Sequence, residues 1–472
     1  MKKITKVWIG TLTFVSLFYN QEIGLNVALL ALIAWLLLSL QPVAKEQKNM
    51  FLLLSACCFL SSFSFAWYGD AISFFALVFS LLVFGLQLQY PRINILLYPA
   101  LWFINYTGFI FKFFSFKYWL PKKITGNDFF KKLLAMVLIP ATLLLIFTVL
   151  YTSSSDIFYS FFEAIPFNFN IFQMLFLTCL GFFLSFNLWF VFIPKSVIKI
   201  NRQLGVNFNS ATQIALKPTF SFLELNFERK SGEISLILLN VLLIFFFITY
   251  NYEQFFLIAK KASLSDEIHQ RVATLIFSIV MAIGVIMFYF KSTFNFDKNA
   301  GFLKKLSYLW IILNTLLTVS AFIKNTEYIL DFALTYKRIG VYIFLFLCLS
   351  GLLTTYLKIR YQKTNAFLLT RMMRIFFFTF IISSCINFSW IVTKYNISYQ
   401  KAEDVAYLRS LNFNKQLLFN TYKNDPSWHN YFESEKQEID KERSKSLLSS
   451  RLYFSTVNLN NNTGSTANKK RF

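Results

Sequence analysis

Charge is scarce in this chain: only 15% of its 472 residues are Asp, Glu, Lys or Arg, against about a quarter in a soluble domain. That shortage argues against a water-soluble fold. Histidine is rarer still, with two residues, and the five cysteines show no Cys-x-x-Cys spacing and no histidine neighbour, so no metal ligand set is legible. Cys57, Cys58, Cys179, Cys348 and Cys385 all lie inside apolar runs and read as small packing residues. Signatures of nucleotide, metalloprotease or serine-hydrolase chemistry (GxGxxG, P-loop, HExxH, GxSxG) are missing. The sequence therefore names no cofactor and no catalytic residue. Period-2 alternation is also lacking, which excludes a membrane β-barrel.

What is present is hydrocarbon. Fifty-six per cent of residues are hydrophobic, 61 are phenylalanine, and the mean hydropathy is +0.52. An α-helix needs about 20 apolar residues to cross a bilayer. The candidate runs are Val7 to Tyr19, Gly24 to Leu40, Phe51 to Trp67, Ala71 to Gln87, Ile93 to Phe114 and Leu133 to Tyr151. They continue with Ile171 to Ile193, Ile234 to Leu257, Val272 to Phe290, Leu306 to Phe322, Gly340 to Leu357 and Met373 to Val392. Both faces of these runs are apolar, which predicts an all-α, polytopic transmembrane helical bundle. Trp and Tyr recur near their ends, as at Trp67 and Tyr68, and suit the headgroup level.

The formal charge of +23 does not imply nucleic acid, because the cations lie in the breaks between runs and form no basic domain. They are distributed as topology determinants. The breaks 115–132, 194–233, 291–305 and 358–374 hold 20 basic and 5 acidic residues; the alternating breaks 152–170, 251–271 and 324–338 hold 6 and 7. The first set is expected in the cytoplasm, and the tail after Val392 outside. The N-terminal basic residues Lys2, Lys3 and Lys6 fit this only if one early run does not cross. Val7 to Tyr19, 13 residues long, is the expected exception, giving about eleven spans within a range of ten to twelve.

Residues 1–392 thus form a membrane region and 393–472 a polar tail. Helices are expected at Tyr399 to Phe419 and Glu433 to Lys445, disorder at Asn460 to Arg471, and no separate core in the tail. An amphipathic interfacial helix is expected at Asp156 to Phe167.

Polar groups inside or beside spans are the candidate binding residues. Asn187, Asn240, Asn314 and Asn387 are read as sitting within late spans, where an amide needs a partner. Glu253 ends a Tyr-Asn-Tyr-Glu stretch, and His269 lies beside Asp266 and Glu267. Lys324, Glu327 and Asp331 share one helix face, followed by Lys337 and Arg338. The candidate set is Asn240, Glu253, His269, Asn314, Asp331, Lys337 and Arg338.

The Leu334-Thr335-Tyr336-Lys337-Arg338-Ile339-Gly340-Val341 stretch is the most specific motif. Together with the Asn240 span, Ile268-His269-Gln270, Leu309-Trp310-Ile311 with Asn314, Asn387 and Tyr407-Leu408, it makes residues 233–409 resemble the membrane proteins grouped as domain of unknown function 4173, related to group 4153. The resemblance implies a polytopic membrane protein of the cell membrane and carries no site residue or activity. Its partner is the lipid bilayer. Three functions compete: a non-catalytic envelope scaffold or sensor that offers its outer tail to an envelope protein, which we favour; a transporter or permease-like bundle; and an enzyme acting on a membrane-embedded lipid.

Overall fold

The computed structural model describes residues 2–115, 139–155, 170–208, 224–253, 265–399 and 405–459, together with positions 119, 136 and 158. Among them helices dominate and no strand occurs. Apolar runs leave the backbone no solvent partner, so each segment bonds within itself. The segments Asp156 to Phe167 (Phe158 apart) and Asn460 to Arg471 lie outside the described residues.

The chain begins with α1 (Lys3–Phe18), α2 (Leu25–Ser39), α3 (Lys48–Tyr68) and α4 (Ala71–Gln89). Two short helices follow, α5 (Tyr98–Thr107) and α6 (Phe109–Phe114), then α7 (Ile139–Ser154), α8 (Ile171–Trp189) and the short α9 (Lys195–Gln203). Next come the long helices α10 (Leu225–Tyr252), α11 (Ser265–Tyr289), α12 (Gly301–Phe332), α13 (Tyr336–Arg360) and α14 (Asn365–Ser384). The chain continues with α15 (Phe388–Ser398), α16 (Val405–Arg409), α17 (Lys415–Tyr422), α18 (His429–Ser444) and α19 (Leu452–Thr456).

Two helical groups result. Helices α1 to α4, α8 and α14 share a core that includes Val7, Leu38, Leu54, Phe84, Phe186 and Ile381. Helices α10 to α13 share another, around Leu236, Ile279, Leu303, Leu317 and Leu345. The antiparallel neighbours α13 and α14 join the groups.

The helix ends gather at two poles. At one, loops rich in lysine and arginine interlock: Arg229 pairs with Asp297 at 3.0 Å, Gln362 Nε2 donates to the Asn295 carbonyl, and Asn94 bonds Thr370 and Asn201. At the other, the α1–α2, α3–α4 and α12–α13 turns meet the tail. The Leu25 N–H donates to the Ser450 carbonyl at 3.1 Å, and the Leu334 N–H to Asn396 Oδ1 at 2.8 Å. We refer to these as the basic pole and the capped pole.

Four predicted boundaries change. Val7 to Phe18 belongs to a 16-residue helix, capped by Tyr19, that lies antiparallel along α8, from Lys6 over the Trp189 ring at the basic pole to Tyr19 Oη, which accepts from the Asn170 N–H, at the capped pole. Close approach is possible because Gly181 faces Phe14: a Cβ there would meet Phe14 Cβ at 2.9 Å. Ile93 to Phe114, predicted as one span, breaks at Gly108 and stays near the basic pole, where Asn105 and Lys112 bond residues 187–192. The predicted helix Met373 to Val392 is interrupted at 385–387 because Asn387 is a helix cap, its Oδ1 accepting the Trp390 N–H. The predicted outer break 324–338 shrinks to 333–335, since α12 continues through Lys324, Glu327 and Asp331.

The tail shares a core with the helix ends. Leu408, Leu418, Phe419, Trp428 and Phe432 pack with Ile329, Leu334 and Val392, while Ile439, Tyr453 and Phe454 pack against Trp67 and Phe413. Of Tyr399 to Phe419, predicted as one helix, residues 400–404 lie outside the described residues and the rest divides into α16 and α17, with Asn414 between them donating to the Leu408 carbonyl and Thr393 Oγ1. Lys445 bridges Glu22 at 2.9 Å and Glu442 at 2.6 Å, which ties this cap to the α1–α2 turn.

Candidate functional site

The six predicted site residues with described side chains are dispersed over α10, α12 and α13 and the ends of these helices. Asn240 donates to the Leu236 carbonyl of its own helix and to the Leu306 carbonyl of α12; Asn314 donates to the Trp310 carbonyl one turn back. These amides hold helices and backbone together. Glu253 follows the last turn of α10, Asp331 is exposed in the last turn of α12, and His269 lies on α11 with its side chain outside the described residues.

Lys337 is exposed, whereas Arg338 is buried and holds the α12–α13 turn. Its Nη1 donates to the Phe332 carbonyl at 2.8 Å and to the Ala333 carbonyl, and its guanidinium lies 4.4 Å from the Tyr328 ring centre. The distinctive Leu-Thr-Tyr-Lys-Arg motif is therefore a fastened turn. Thr335 caps α13 and the Tyr336 N–H donates to Tyr407 Oη.

Three buried lysines repeat the same device at the basic pole. Lys6 Nζ donates to the Leu37 carbonyl near the end of α2, and Lys358 Nζ to the Phe290 carbonyl after α11, each at 2.7 Å. Lys112 Nζ reaches Asn187 Oδ1 at 2.5 Å, Asn105 Oδ1 at 3.0 Å and the Phe190 carbonyl after α8 at 3.4 Å. The last carbonyls of a helix have no intrahelical donor and carry the negative end of its dipole, so a cation there is matched without a carboxylate. Lys112 could have been noticed as a lone cation in the apolar string Phe109 to Phe114.

The concave feature at the capped pole is a cleft of about 590 Å3 between α13 and α14. Ile343, Leu347, Phe376 and Phe380 line its deeper part. Tyr68, Asp70, Tyr336 and Asn387 stand at its mouth, and Ser410 to Phe413 of the cap roof it. Tyr336 Oη and Ser389 Oγ are 2.5 Å apart, and Asp70 Oδ1 accepts from the Ser73 N–H at 2.9 Å, capping α4. None of the six predicted site residues with described side chains lines this cleft. Sequence reading singled out Asn387 and the motif holding Tyr336 but not the cleft, because most of its other residues are individually bland and only helix splay brings them around a space.

Among the described residues, seven helices (α3, α4, α8, α10, α12, α13 and α14, two of them with short lead-in turns) are long and apolar enough to cross a bilayer. The fold is that of a helical membrane protein. Residues 7–418 match the family described as Domain of unknown function (DUF4153), and the chain belongs to that family. The match replaces the expected group 4173 with its relative and extends the likeness from residues 233–409 to most of the chain. No curated protein matches the chain, and no solved structure does.

Proposed function

We propose that the chain is a multi-pass protein of the cell membrane that acts as a non-catalytic envelope scaffold or sensor, with its folded tail as the outer working surface. Eleven helices cross in this reading: α1 to α4, α7, α8 and α10 to α14. The α5–α6 segment turns back. Helices α1 and α2, at 16 and 15 residues, rise only about 24 and 23 Å, which local bilayer thinning accommodates. The N-terminus and the basic pole face the cytoplasm, as the distribution of Lys and Arg requires, and the capped pole lies outside.

The observation that carries the reading is the docking of the tail. A segment of residues 405–459 is fastened to helix ends from both groups, through Trp67 and Lys445 to Glu22 on one side and Ile329 and Leu334 on the other. Such a surface keeps a fixed relation to the helices beneath it. Its helix α18 buries Phe432, Ile439 and Glu442 and leaves Glu433, Lys436, Glu438, Asp440 and Lys441 in solvent.

The test has two arms. Alkaline phosphatase fused after residue 472 is expected to be active, and a green fluorescent protein fusion there dark; the reverse pattern overturns the orientation. Photocrosslinkers on the exposed face of α18 are expected to trap one recurrent envelope protein in intact cells. Recovery of the uncrosslinked chain alone overturns the scaffold role.

A further inference from the structure

We propose that the cleft between α13 and α14 holds one lipid of the surrounding leaflet, an amine-headed phospholipid with an acyl chain in the groove and its ammonium at Asp70. The inference rests on the membrane embedding argued under the proposed function and does not depend on which face is outer.

The first argument is register. Helix α13 descends from Tyr336 at the mouth to Ile343 and Leu347, and α14 rises from Phe376 and Phe380 to Asn387 just beyond its end. Polar groups thus stand at the pole and apolar groups deeper, in the order that an amphiphile presents in a leaflet. Phe376 and Ile72, both in its lining, are about half exposed, so in a membrane-embedded chain the groove is in reach of the surrounding lipids. Its size falls within the range of about 300 to 1,000 Å3 typical of small-molecule sites.

The second argument is Gly340. It lies in α13 on the wall of the cleft, and a Cβ built there meets nothing within 4 Å. A glycine weakens a helix interior relative to alanine, and no neighbour requires this one. What it supplies is depth in the groove.

The third is charge. Among the described lining residues Asp70 alone is charged. Both bonds from Ser73 fall on Oδ1, which leaves Oδ2 for a donor. An ammonium complements this mouth, and an anionic headgroup without an amine does not. The cap residues Ser410 to Phe413 roof the site, so an occupant touches the same element that the sensor reading places at work.

The full chain is reconstituted in nanodiscs of equal phosphatidylethanolamine and phosphatidylglycerol, and the lipid retained after gentle extraction is counted by native mass spectrometry. The wild type is expected to keep one lipid per chain with phosphatidylethanolamine preferred. Asp70→Asn preserves the helix cap and removes the charge; the preference is expected to fall about fivefold, the scale of a partly exposed charge pair. Gly340→Leu puts a side chain into the groove at a position where a Cβ meets nothing within 4 Å and is expected to abolish retention. A wild type that keeps no lipid, or shows no headgroup preference, overturns the proposal, and so does an unchanged preference in Asp70→Asn. Full retention by Gly340→Leu does the same, while the other measurements decide the matter if that variant fails to fold. A chain that will not enter nanodiscs refutes the membrane reading, whereas entry without a retained lipid refutes only this inference.

Discussion

Replacing Lys112 by Met removes the cation that fastens the α5–α6 segment while keeping most of the side-chain volume. Lys112 is buried and gives hydrogens to Asn187 Oδ1, Asn105 Oδ1 and the Phe190 carbonyl. The losses are unequal. Asn105 Oδ1 still accepts the Phe192 N–H at 2.7 Å, so it remains satisfied. Asn187 Oδ1 loses its donor, and an orphaned buried acceptor costs about 1 to 3 kcal/mol. The charge-assisted bond itself contributes about 1.5 to 3 kcal/mol net. Against these stands the relief of no longer burying a charge, which offsets part of the loss. Because the variant leaves an unpaired amide rather than an unpaired charge, the expected destabilisation is about 2 to 3 kcal/mol, below the cost of a broken buried ion pair. Unfolding of the detergent-solubilised chain measures it, and proteolysis near Gly108 is expected to accelerate in parallel. Lys112→Met combined with Asn187→Leu removes both partners and is expected to recover about half of the loss. A Lys112→Met chain as stable and protease-resistant as wild type, or strictly additive single and double variants, would refute the account.

Ala333 has φ +79°, a region costly for a side chain, and it persists because Arg338 and Asn396 hold the residues around it. Ala333→Gly is expected to stabilise the chain by about 1 kcal/mol in thermal unfolding, and a loss of stability would contradict the strain argument. Gly181→Leu drives a side chain into Phe14 at the α1–α8 contact and is expected to cost about 2 kcal/mol despite leucine's better helix propensity; an unchanged melting temperature would show that the two helices are not closely packed. Hydrogen bonding and attraction from Lys445 hold the Glu22 carboxyl below its ordinary value of 4.5. A depressed carboxylate contributes stability above its unfolded value and loses it as pH falls through the folded one. Lys445, raised chiefly by Glu442 and then Glu22, keeps its contribution through neutral pH and loses it only in strong alkali. Exchange protection of the Leu25 amide, which bonds the cap, is therefore expected to weaken as pH falls below the ordinary carboxyl value of 4.5; protection that is unchanged in acid would remove the pair from the docking account.

The long apolar runs were legible because hydropathy summed over a span is a strong signal. Ala71 to Gln87 became Ala71–Gln89, and Ile171 to Ile193 became Ile171–Trp189. The breaks were not legible. Gly108 sits in a string apolar enough to be read as a span, and Asn387 reads as an intramembrane amide until its capping bond to Trp390 is seen. Window averages also missed the tail core, because Trp428, Phe432, Tyr453 and Phe454 are scattered among charges and become buried only by docking on the helix ends. Selecting polar residues in apolar surroundings led to Asn240, Asn314 and Arg338, whose bonds maintain structure. The cleft escaped that search, since it arises from the angle between two helices and the lack of a side chain at Gly340.

The capping lysines bear on orientation in a way that composition cannot express. A cation bonded to a helix C-terminus is explained by that bond, so each one weakens the case that cations mark the cytoplasm. Of the buried caps at the basic pole, only Lys358 belongs to the breaks whose bias was counted; Lys6 and Lys112 lie elsewhere. Arg338 performs the same task at the capped pole, so capping has no preferred side. The excess of 20 basic over 5 acidic residues in the breaks therefore survives the removal of Lys358 almost intact. Most of the described cations in those breaks, including Lys199, Arg202, Lys298 and Arg360, are exposed, where stability gains little from them. Their concentration at one pole is thus better explained by insertion than by packing, which is why the reporter at residue 472 tests the orientation independently of every contact within the bundle.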